Sequence, residues 1–410
     1  MMKQKFAAEA ITEESPKWEQ CIERESFLEE RIDEIRSKFW RDYNRLLHSQ
    51  AYRRLKHKTQ VFHATHNDHI CTRIEHVGHV SSVSYTICDY LGLNKELAQA
   101  IAIGHDIGHA PFGHDGEHKL NQLAKKYYGG SFWHEKNSLH FADSIETLFN
   151  PDGYHRNLCL TYAVRDGIIS HCGEVNEKVL YPRAEAIDLK TINGSNQHAP
   201  YTWEGCVVKI ADKISYLGRD IEDALRLKIL SNVEIEELLS ILNPVSGITF
   251  EQINNTVLMH NFILDLCHFS SPEKGIGFSE EFHKAIIKIK SFNYKHIYLH
   301  PRLNNYNHYA DLILTSIFEL FNALFDENIP VLAKNIATQK TIYPIITEHF
   351  EKWLILYSNY APQIRSEQKY LNRIIYDITR SVDYSKSIID FISSLSDNFA
   401  IESYQEIIRF

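Results

Sequence analysis

Apolar residues recur every three or four positions along most of the chain, which is the spacing of amphipathic α-helices. Asn94 is a predicted N-terminal cap and Gly92 a predicted C-terminal cap of neighbouring helices. The pattern predicts helices over approximately residues 26–55, 69–90, 95–106, 117–126, 134–149, 157–172 and 204–224, with further helices between 280 and 410. We therefore expect an all-α fold.

The helical pattern is interrupted at several places, most of them containing glycine, proline or asparagine, and these predict loops. The predicted loops are residues 60–68, 129–133, 243–247 and 270–277, with further breaks near Pro301, Pro330 and Pro362. Residues 173–203 combine prolines, an Asn-Gly pair and alternating apolar positions. This combination predicts a small irregular, partly β insertion.

Composition narrows the class of protein. With 24% charged and 44% hydrophobic residues over 410 positions, the chain is predicted to be soluble and to form one large or two smaller helical domains. The net charge of -9 argues against a general nucleic-acid coat protein, because phosphate binding requires clustered lysine and arginine. It does not exclude a small anionic substrate, since a local patch such as Arg53, Arg54, Lys56, Lys58 and Arg73 can override the global sign.

The cysteines and the N-terminus indicate a compartment. The seven scattered cysteines contain no CxxC pair, which favours free thiols in a reducing environment over disulfides or a thiolate zinc site. The N-terminus has too little apolar length for a signal peptide, and no apolar run of about 20 residues predicts a membrane span. We expect a cytoplasmic protein with no membrane partner.

One stretch of sixteen residues, 102–117, concentrates three histidines, two aspartates and a glutamate. Within it, His105 and Asp106 offer a nitrogen and an oxygen ligand side by side, which suits a divalent metal but is too sparse to hold one alone. His76 on the preceding helix and Asp212 on the long downstream helix complete a set of two histidines and two aspartates. Such a set leaves positions for water and a phosphate oxygen, and it would accept Mn, Fe, Ni, Co, Zn or, more weakly, Mg.

Further residues share helix faces with these candidate ligands. Arg73 lies three residues before His76, so that a cation and a ligand can point into the same pocket. Tyr216 and Asp220 follow Asp212 at successive steps of four residues. Neither glycine-rich phosphate-loop pattern is present, so nucleotide binding by those routes is unsupported.

Several segments together carry a family resemblance. They are residues 41–49, 52–55, 58–62, 72–76, 105–117, 211–216 and 391–400. They resemble the deoxyguanosinetriphosphate triphosphohydrolase family of the HD superfamily of metal-dependent phosphohydrolases. The resemblance implies an HD-type helical fold, with an N-terminal segment (1–25), a catalytic core (26–242) and a helical C-terminal part (243–410) packed on that core. It also implies cleavage of a deoxynucleoside triphosphate between O5′ and the α-phosphorus, which gives a deoxynucleoside and tripolyphosphate.

The resemblance assigns roles to residues at matching positions. His76, His105, Asp106 and Asp212 match metal ligands, His114 and Glu117 the catalytic pair, Arg73, His109, His134 and Lys213 phosphate contacts, and Gln60, Tyr216 and Asp220 sugar contacts. On chemical grounds His114 suits the role of proton donor to the leaving O5′, and Glu117, three residues later, could orient it and raise its pKa. An aromatic wall at Tyr216 would exclude a ribose 2′-hydroxyl.

Other interpretations remain open at this stage. The chain could be a different HD phosphohydrolase, such as a nucleoside monophosphatase, a cyclic-nucleotide phosphodiesterase or an alarmone hydrolase. It could also be a regulatory protein that binds nucleotides or single-stranded nucleic acid with little turnover. His114 and Glu117 could be a helix-capping pair, and Arg73 could form a solvated ion pair with Glu75 or Asp68.

The resemblance and the apolar C-terminal helices favour a homo-oligomer, without a choice between tetramer and hexamer. Base preference, the identity of the metal, a dNTP acting as allosteric activator and weak single-strand binding stay open.

Overall fold

The structure is a computed structural model that describes residues 4–26, 28, 33–63, 67–172, 177–246 and 255–409. The chain forms two compact units that are interleaved along the sequence. The first unit comprises Met1–Leu46, Thr65–Asp106 and Cys159–Asn304, and the second comprises Leu47–Ala64, Ile107–Leu158 and Asn305–Phe410. The division of the sequence at residues 25 and 242 stays a prediction.

Eighteen α-helices occupy most of the described residues and confirm the predicted all-α fold class. They are α1 (Trp18–Ile22), α2 (Lys38–Leu47), α3 (Gln50–Arg54), α4 (Arg73–Leu91), α5 (Lys95–Gly104), α6 (Gly113–Tyr128), α7 (His134–His140), α8 (Tyr162–Ser170), α9 (Trp203–Arg226), α10 (Asn232–Ser246), α11 (Asn255–Phe269), α12 (Glu280–Asn293), α13 (Pro301–Asn322), α14 (Ile329–Ile342), α15 (Pro344–Tyr357), α16 (Pro362–Glu367), α17 (Ser381–Ser394) and α18 (Asp397–Ile408). Among the described helices, none is both long and apolar enough to cross a bilayer.

The strands of the described chain are short and form two antiparallel pairs. Strand β1 (Thr147–Phe149) pairs with β2 (His155–Asn157), and β3 (Val179–Leu180) pairs with β4 (Ile276–Gly277). β3 lies in the predicted insertion, whose described part is otherwise irregular apart from one 3₁₀ turn at Leu189–Thr191. The prediction of a partly β insertion is confirmed for residues 177–203, and residues 173–176 lie outside the described chain.

The first unit is built around α9, which packs against α4, α5, α8, α11 and α12. Most α9 side chains are buried, and the helix begins where Thr202 accepts a hydrogen bond from the Gly205 N–H through its side chain. Helix α4 ends at Gly92 in the left-handed region (φ 87°), and Asn94 caps α5, both as predicted. These caps fix where the helix that carries His76 ends and where the helix that leads to His105 begins.

Helices α5 and α8 approach each other closely through two glycines. A Cβ atom on Gly104 would lie 2.7 Å from Cδ1 of Ile168, and one on Gly167 would lie 2.5 Å from Cδ1 of Ile101. Any larger side chain at either position would push the helices apart. Because of this close packing, the C-terminal ends of α5 and α8 lie next to each other.

The second unit contains α6 packed against α17, and its core is rich in aromatic side chains. Phe321 stacks on Phe350 with ring centroids 4.1 Å apart, and Phe391 packs edge-on against both. Lys58 is buried and donates hydrogen bonds to the carbonyls of His109 and Ser393. Lys58 is therefore a structural cation of this unit and not part of a surface patch.

Some predicted helix boundaries are wrong. The predicted helix 26–55 is instead two helices in the part that is described, because Ser49 caps α3 by accepting a hydrogen bond from Tyr52 N–H; several residues between 27 and 32 lie outside the described chain. The helix predicted to begin at residue 69 begins at Arg73, since Thr72 and Glu75 form a capping box there.

Other differences lie downstream. The predicted helix 117–126 is longer and begins at Gly113, whereas the helix predicted to run to residue 149 ends at His140, followed by a π-helical turn and β1. Helix α10 continues through the loop predicted at 243–246. The loops at 60–63 and 129–133 are confirmed, and residues 64–66 and 247 lie outside the described chain.

Candidate active site

Three of the predicted metal ligands converge in the first unit from three different helices. His76 lies on α4, His105 is the C-terminal cap of α5, and Asp212 lies on α9. Oδ1 of Asp212 is 3.0 Å from Nε2 of His76 and 3.8 Å from Nε2 of His105. One ligand atom from each of the three residues lies within 4.8 Å of the others, so the group could hold a metal ion.

The ring of His105 is oriented as a metal ligand would be. Its Nδ1 lies 2.6 Å from the carbonyl oxygen of Ala102, so this nitrogen carries the proton and donates it. Its Nε2 is then left with a lone pair, is buried and makes no hydrogen bond to any described residue. Burial lowers the pKa of His105 to about 4, so the ring is neutral at physiological pH, as metal binding requires.

Asp106 is buried next to His105 and is held by Arg73. Nη1 of Arg73 is 2.5 Å from Oδ2 of Asp106, and the Arg73 side chain is only 3% exposed. Glu75 instead belongs to the capping box of α4. The alternative of a solvated ion pair between Arg73 and Glu75 or Asp68 is therefore wrong.

The electrostatics of this cluster suit a cation. Burial by itself would raise the pKa of Asp212, but the hydrogen bond with His76 and the nearby imidazoles of His105 and His171 outweigh it and lower the pKa. Two imidazoles and two carboxylates form a donor set that fits a divalent ion of intermediate hardness. The residues present therefore fit a divalent metal.

His171 also belongs to this cluster, although the sequence analysis did not select it. It is the C-terminal cap of α8, and its ring centroid is 4.9 Å from that of His105. Together with His105 and Asp106 it forms a second group whose ligand atoms lie within 4.8 Å of one another. One pattern in the sequence points to His171: it ends an apolar helical segment, as His105 does.

A second cluster lies in the second unit and contains His109, His114, Glu117 and His134. Oε2 of Glu117 is 3.0 Å from Nδ1 of His134, 3.6 Å from Nδ1 of His114 and 4.0 Å from Nε2 of His109. The rings of His109 and His134 stack with centroids 4.8 Å apart. Three imidazoles thus surround one carboxylate.

Glu117 is the centre of this second cluster. Burial would raise its pKa, but the imidazoles of His134, His114 and His109 outweigh burial and hold the pKa well below the usual value of 4.5. Its Oε1 also accepts the backbone N–H of His134 at 3.1 Å, at the start of α7. Glu117 therefore contributes to a helix cap and, through Oε2, also contacts the histidines. His114 is open to solvent, with 62% of its side chain exposed.

The remaining predicted site residues are divided between the two units. Asp212, Tyr216 and Asp220 share one face of α9 in the first unit, and Asp220 accepts a hydrogen bond of 2.5 Å from the hydroxyl of Tyr298. Tyr298 is a second residue that the sequence analysis missed. Gln60 lies in the second unit, where its buried Oε1 makes no hydrogen bond to the described residues.

Lys213 follows Asp212 on α9, so it lies off the face that Asp212, Tyr216 and Asp220 share, and it is buried. Burial, together with the positive charges of Lys290 and Lys209, lowers the pKa of Lys213 to about 8. Three lysines, at positions 209, 213 and 290, thus lie near one another in the first unit of a chain of net charge -9. Such a region is suited to an anionic ligand.

Comparison with known proteins places the chain in a class. The HD domain family matches residues 73–217, which include all four residues of the two-histidine, two-aspartate set, and a phosphohydrolase-associated domain matches residues 276–341. The chain is thus a member of the HD-domain phosphohydrolases.

The particular family follows from similar whole proteins. A deoxyguanosinetriphosphate triphosphohydrolase-like protein of Clostridium perfringens (strain SM101 / Type A) is 34% identical over 320 residues, which cover 78% of this chain and 84% of the relative. One from Caldanaerobacter subterraneus subsp. tengcongensis is 32% identical over 316 residues (77% and 79%), and one from Rickettsia prowazekii is 28% identical over 383 residues (91% and 92%). The chain belongs to the deoxyguanosinetriphosphate triphosphohydrolase-like family.

Proposed function

We propose that this protein is a metal-dependent hydrolase that converts deoxynucleoside triphosphates to deoxynucleosides and tripolyphosphate. The observation that carries the proposal is the convergence of His76, His105 and Asp212 from three helices, with Asp106 beside them. These four residues would hold the ion. A bound divalent ion would polarise a phosphoryl oxygen and lower the pKa of a water molecule.

Hydrolysis adds water at the α-phosphorus and breaks its bond to O5′, which leaves as a poor alkoxide unless it receives a proton. His114 is suited to deliver that proton, because imidazole titrates near neutral pH and its ring is exposed. Glu117 lies on the Nδ1 side of this ring and stabilises its protonated form. Glu117 also fixes His134, so one carboxylate organises both rings.

A triphosphate brings about four negative charges, which require hydrogen-bond donors and cations. Arg73 meets this need even though Nη1 is engaged by Asp106, since its buried Nε makes no hydrogen bond to any described residue. Lys213, with a pKa of about 8, is still mostly protonated at neutral pH, and a phosphate ligand would raise that pKa. His109 and His134 offer further donors in the second unit.

Selection of deoxyribose would fall to Gln60, Tyr216 and Asp220. Asp220 is aligned by Tyr298 and can accept a hydrogen bond from the sugar 3′-hydroxyl. The side-chain amide N–H of Gln60 can donate a second hydrogen bond, to the oxygen of the same hydroxyl. Tyr216, one helical turn from Asp212, would be the aromatic wall that leaves no space for a 2′-hydroxyl.

We also propose a homo-oligomer. Large apolar side chains that are more than half exposed occur at Ile342, Ile345 and Ile408 in the C-terminal part of the chain. Exposed apolar surface of this kind supports association between copies.

Product analysis tests the proposed function. Purified protein is incubated with each of the four dNTPs, with their mixture and with GTP, in the presence of Mn²⁺ or Mg²⁺, and the products are separated by chromatography. We expect deoxynucleoside and tripolyphosphate from at least one dNTP and no product from GTP. Activity only in the mixture would indicate activation by a second nucleotide.

The test variant is His114→Ala, and its matched control is His118→Ala, since both histidines lie on α6 and both are exposed. We expect the first change to lower kcat by about 10²–10⁴-fold and the second to leave it unchanged. Release of orthophosphate or pyrophosphate would contradict the proposal in favour of another HD hydrolase. No turnover under any condition would favour a nucleotide-binding protein.

A further inference from the structure

The two groups of candidate metal ligands in the first unit share one residue, His105. The first group adds His76 and Asp212 to it, and the second adds Asp106 and His171. His105 can bind a metal only through Nε2, because its Nδ1 is committed to the carbonyl of Ala102. A single nitrogen lone pair binds a single ion, so both groups must serve the same ion.

We propose that His171 is a fifth protein ligand of this metal centre. This inference rests on the metal site in the proposed function and adds to it one residue, a donor beyond the two histidines and two aspartates. The centre then has three imidazoles and two carboxylates.

His171 is built into α8 in the same way as His105 is built into α5. Each is the C-terminal cap of its helix, and each places Nδ1 2.6 Å from the carbonyl oxygen three residues earlier, Ile168 for His171 and Ala102 for His105. Because a carbonyl oxygen can only accept a hydrogen bond, Nδ1 carries the proton in both rings, and Nε2 is the nitrogen that would bind a metal. His171 is 1% exposed, so its ring is held inside the protein.

Packing fixes the distance between these two rings. Gly104 precedes His105 on α5, and Gly167 lies one helical turn before His171 on α8; neither position has space for a Cβ atom. The start of α8 is anchored independently, since Asp42 accepts hydrogen bonds from Thr161 N–H at 2.8 Å and from its hydroxyl at 2.7 Å. Helix α8 can therefore neither slide nor tilt without loss of these contacts.

The alternative is that His171 only caps its helix. Capping uses one ring nitrogen and needs no particular neighbour for the other. The structure instead places the ring of His171 4.9 Å from that of His105, which is itself 5.4 Å from that of His76. Three imidazoles lie close to the carboxylates of Asp106 and Asp212, and a shared cation would stabilise this arrangement.

A third imidazole also narrows the choice of metal. Imidazole ligands favour Zn, Fe, Co and Ni, whereas Mg prefers oxygen ligands and keeps much of its water. We therefore expect the purified apoprotein to bind Co²⁺ much more tightly than Mg²⁺.

X-ray absorption spectroscopy of the cobalt-loaded, full-length protein tests the inference without any substrate. Outer-shell scattering from imidazole rings counts the histidine ligands. We expect three imidazoles in the wild-type protein and two in His171→Ala. The control is His79→Ala on α4, since the ring of His79 is 3.2 Å from an Arg219 nitrogen and belongs to neither ligand group.

Competition with a chelator measures affinity in the same samples. We expect His171→Ala to weaken Co²⁺ binding by about tenfold or more and His79→Ala to leave it within about twofold. Two imidazoles in the wild-type protein would overturn the inference, even if His171→Ala failed to fold. Because no nucleotide is present, this result is separate from the product analysis: the protein could lack dNTP hydrolysis and still show three imidazoles, or the reverse.

Discussion

The carboxylate of Asp397 is the most informative single group to remove from the second unit. It accepts the backbone N–H of Thr59 at 3.0 Å, the hydroxyl of Thr59, and the backbone N–H of Phe112 at 2.9 Å. Thr59 precedes Gln60, a predicted sugar contact, and Phe112 lies within the histidine-rich stretch 102–117 with a left-handed φ of 64°. One side chain thus holds two segments that carry proposed site residues, one of which is strained.

The magnitude follows from the burial of these groups. Asp397 is 2% exposed and Phe112 is fully buried, so water cannot replace the lost acceptor. Asp397→Ala leaves two backbone N–H groups without an acceptor, and each buried unsatisfied donor costs about 1–3 kcal/mol, so the free energy of unfolding should fall by about 2–6 kcal/mol. Asp397→Asn keeps one acceptor oxygen, and its loss should be about half as large.

Urea unfolding monitored by tryptophan fluorescence measures these losses through the shift in the transition midpoint. Glu402→Ala is the matched control, because Glu402 is an exposed acid on the same helix, α18, and its loss should change stability by no more than about 0.5 kcal/mol. We also expect Asp397→Asn to lower kcat/KM more than Glu402→Ala does. Equal midpoints for Asp397→Ala and Glu402→Ala would refute the reasoning.

Three further predictions concern the two units separately. The pKa of Glu117 in the folded protein lies well below 4.5, its usual value, so the ionised carboxylate stabilises the fold fully above pH 4.5. This stabilisation is lost as the pH falls through the pKa of the folded protein, and the melting temperatures of the wild-type protein and Glu117→Gln should therefore converge in acid. A constant difference between the two melting temperatures would contradict the lowered pKa of Glu117. Tyr298→Phe removes the hydrogen bond that aligns Asp220. Steady-state kinetics should then show a higher KM for dNTPs with a smaller change in kcat, whereas an unaltered KM would exclude a positioning role for Tyr298. Gly104→Ala overpacks the contact between α5 and α8 and should lower the free energy of unfolding by about 1–3 kcal/mol. Gly78→Ala, on the open face of α4, should instead raise it by about 0.5–1 kcal/mol. Calorimetry measures both changes, and the same sign for the two would contradict the packing argument.

The predictions that succeeded depend on neighbours along the chain. Helical spacing of apolar residues gave the all-α class, and the caps at Gly92 and Asn94 were read correctly because capping depends on a few consecutive residues. The errors at helix ends had the same local origin. Apolar periodicity continues across Ser49 and hides the break between α2 and α3, although serine is a good N-terminal cap. The residues of β1 continue a helical pattern, because only pairing with β2 makes them a strand.

The residues of the candidate metal set can be selected from sequence because His105 and Asp106 form a recognisable pair and the helices before and after it offer His76 and Asp212; the family resemblance matches the same four positions. The sequence did not give the partner of Arg73, which proved to be Asp106 and not a residue nearby in the chain. It also did not give Tyr298 as the partner of Asp220, 78 residues away.

Sequence alone thus determined the type of secondary structure, several helix ends and the chemical type of the candidate site. The contacts of His171 with His105 and of Asp397 with Phe112, 285 residues earlier, come instead from packing between distant parts of the chain. The physical reason is that such contacts arise where helices can approach closely, as they do at Gly104 and Gly167, and where a buried donor must find an acceptor. Neither requirement leaves a periodic signal in the chain, because the partners are set by packing in three dimensions and not by spacing in one.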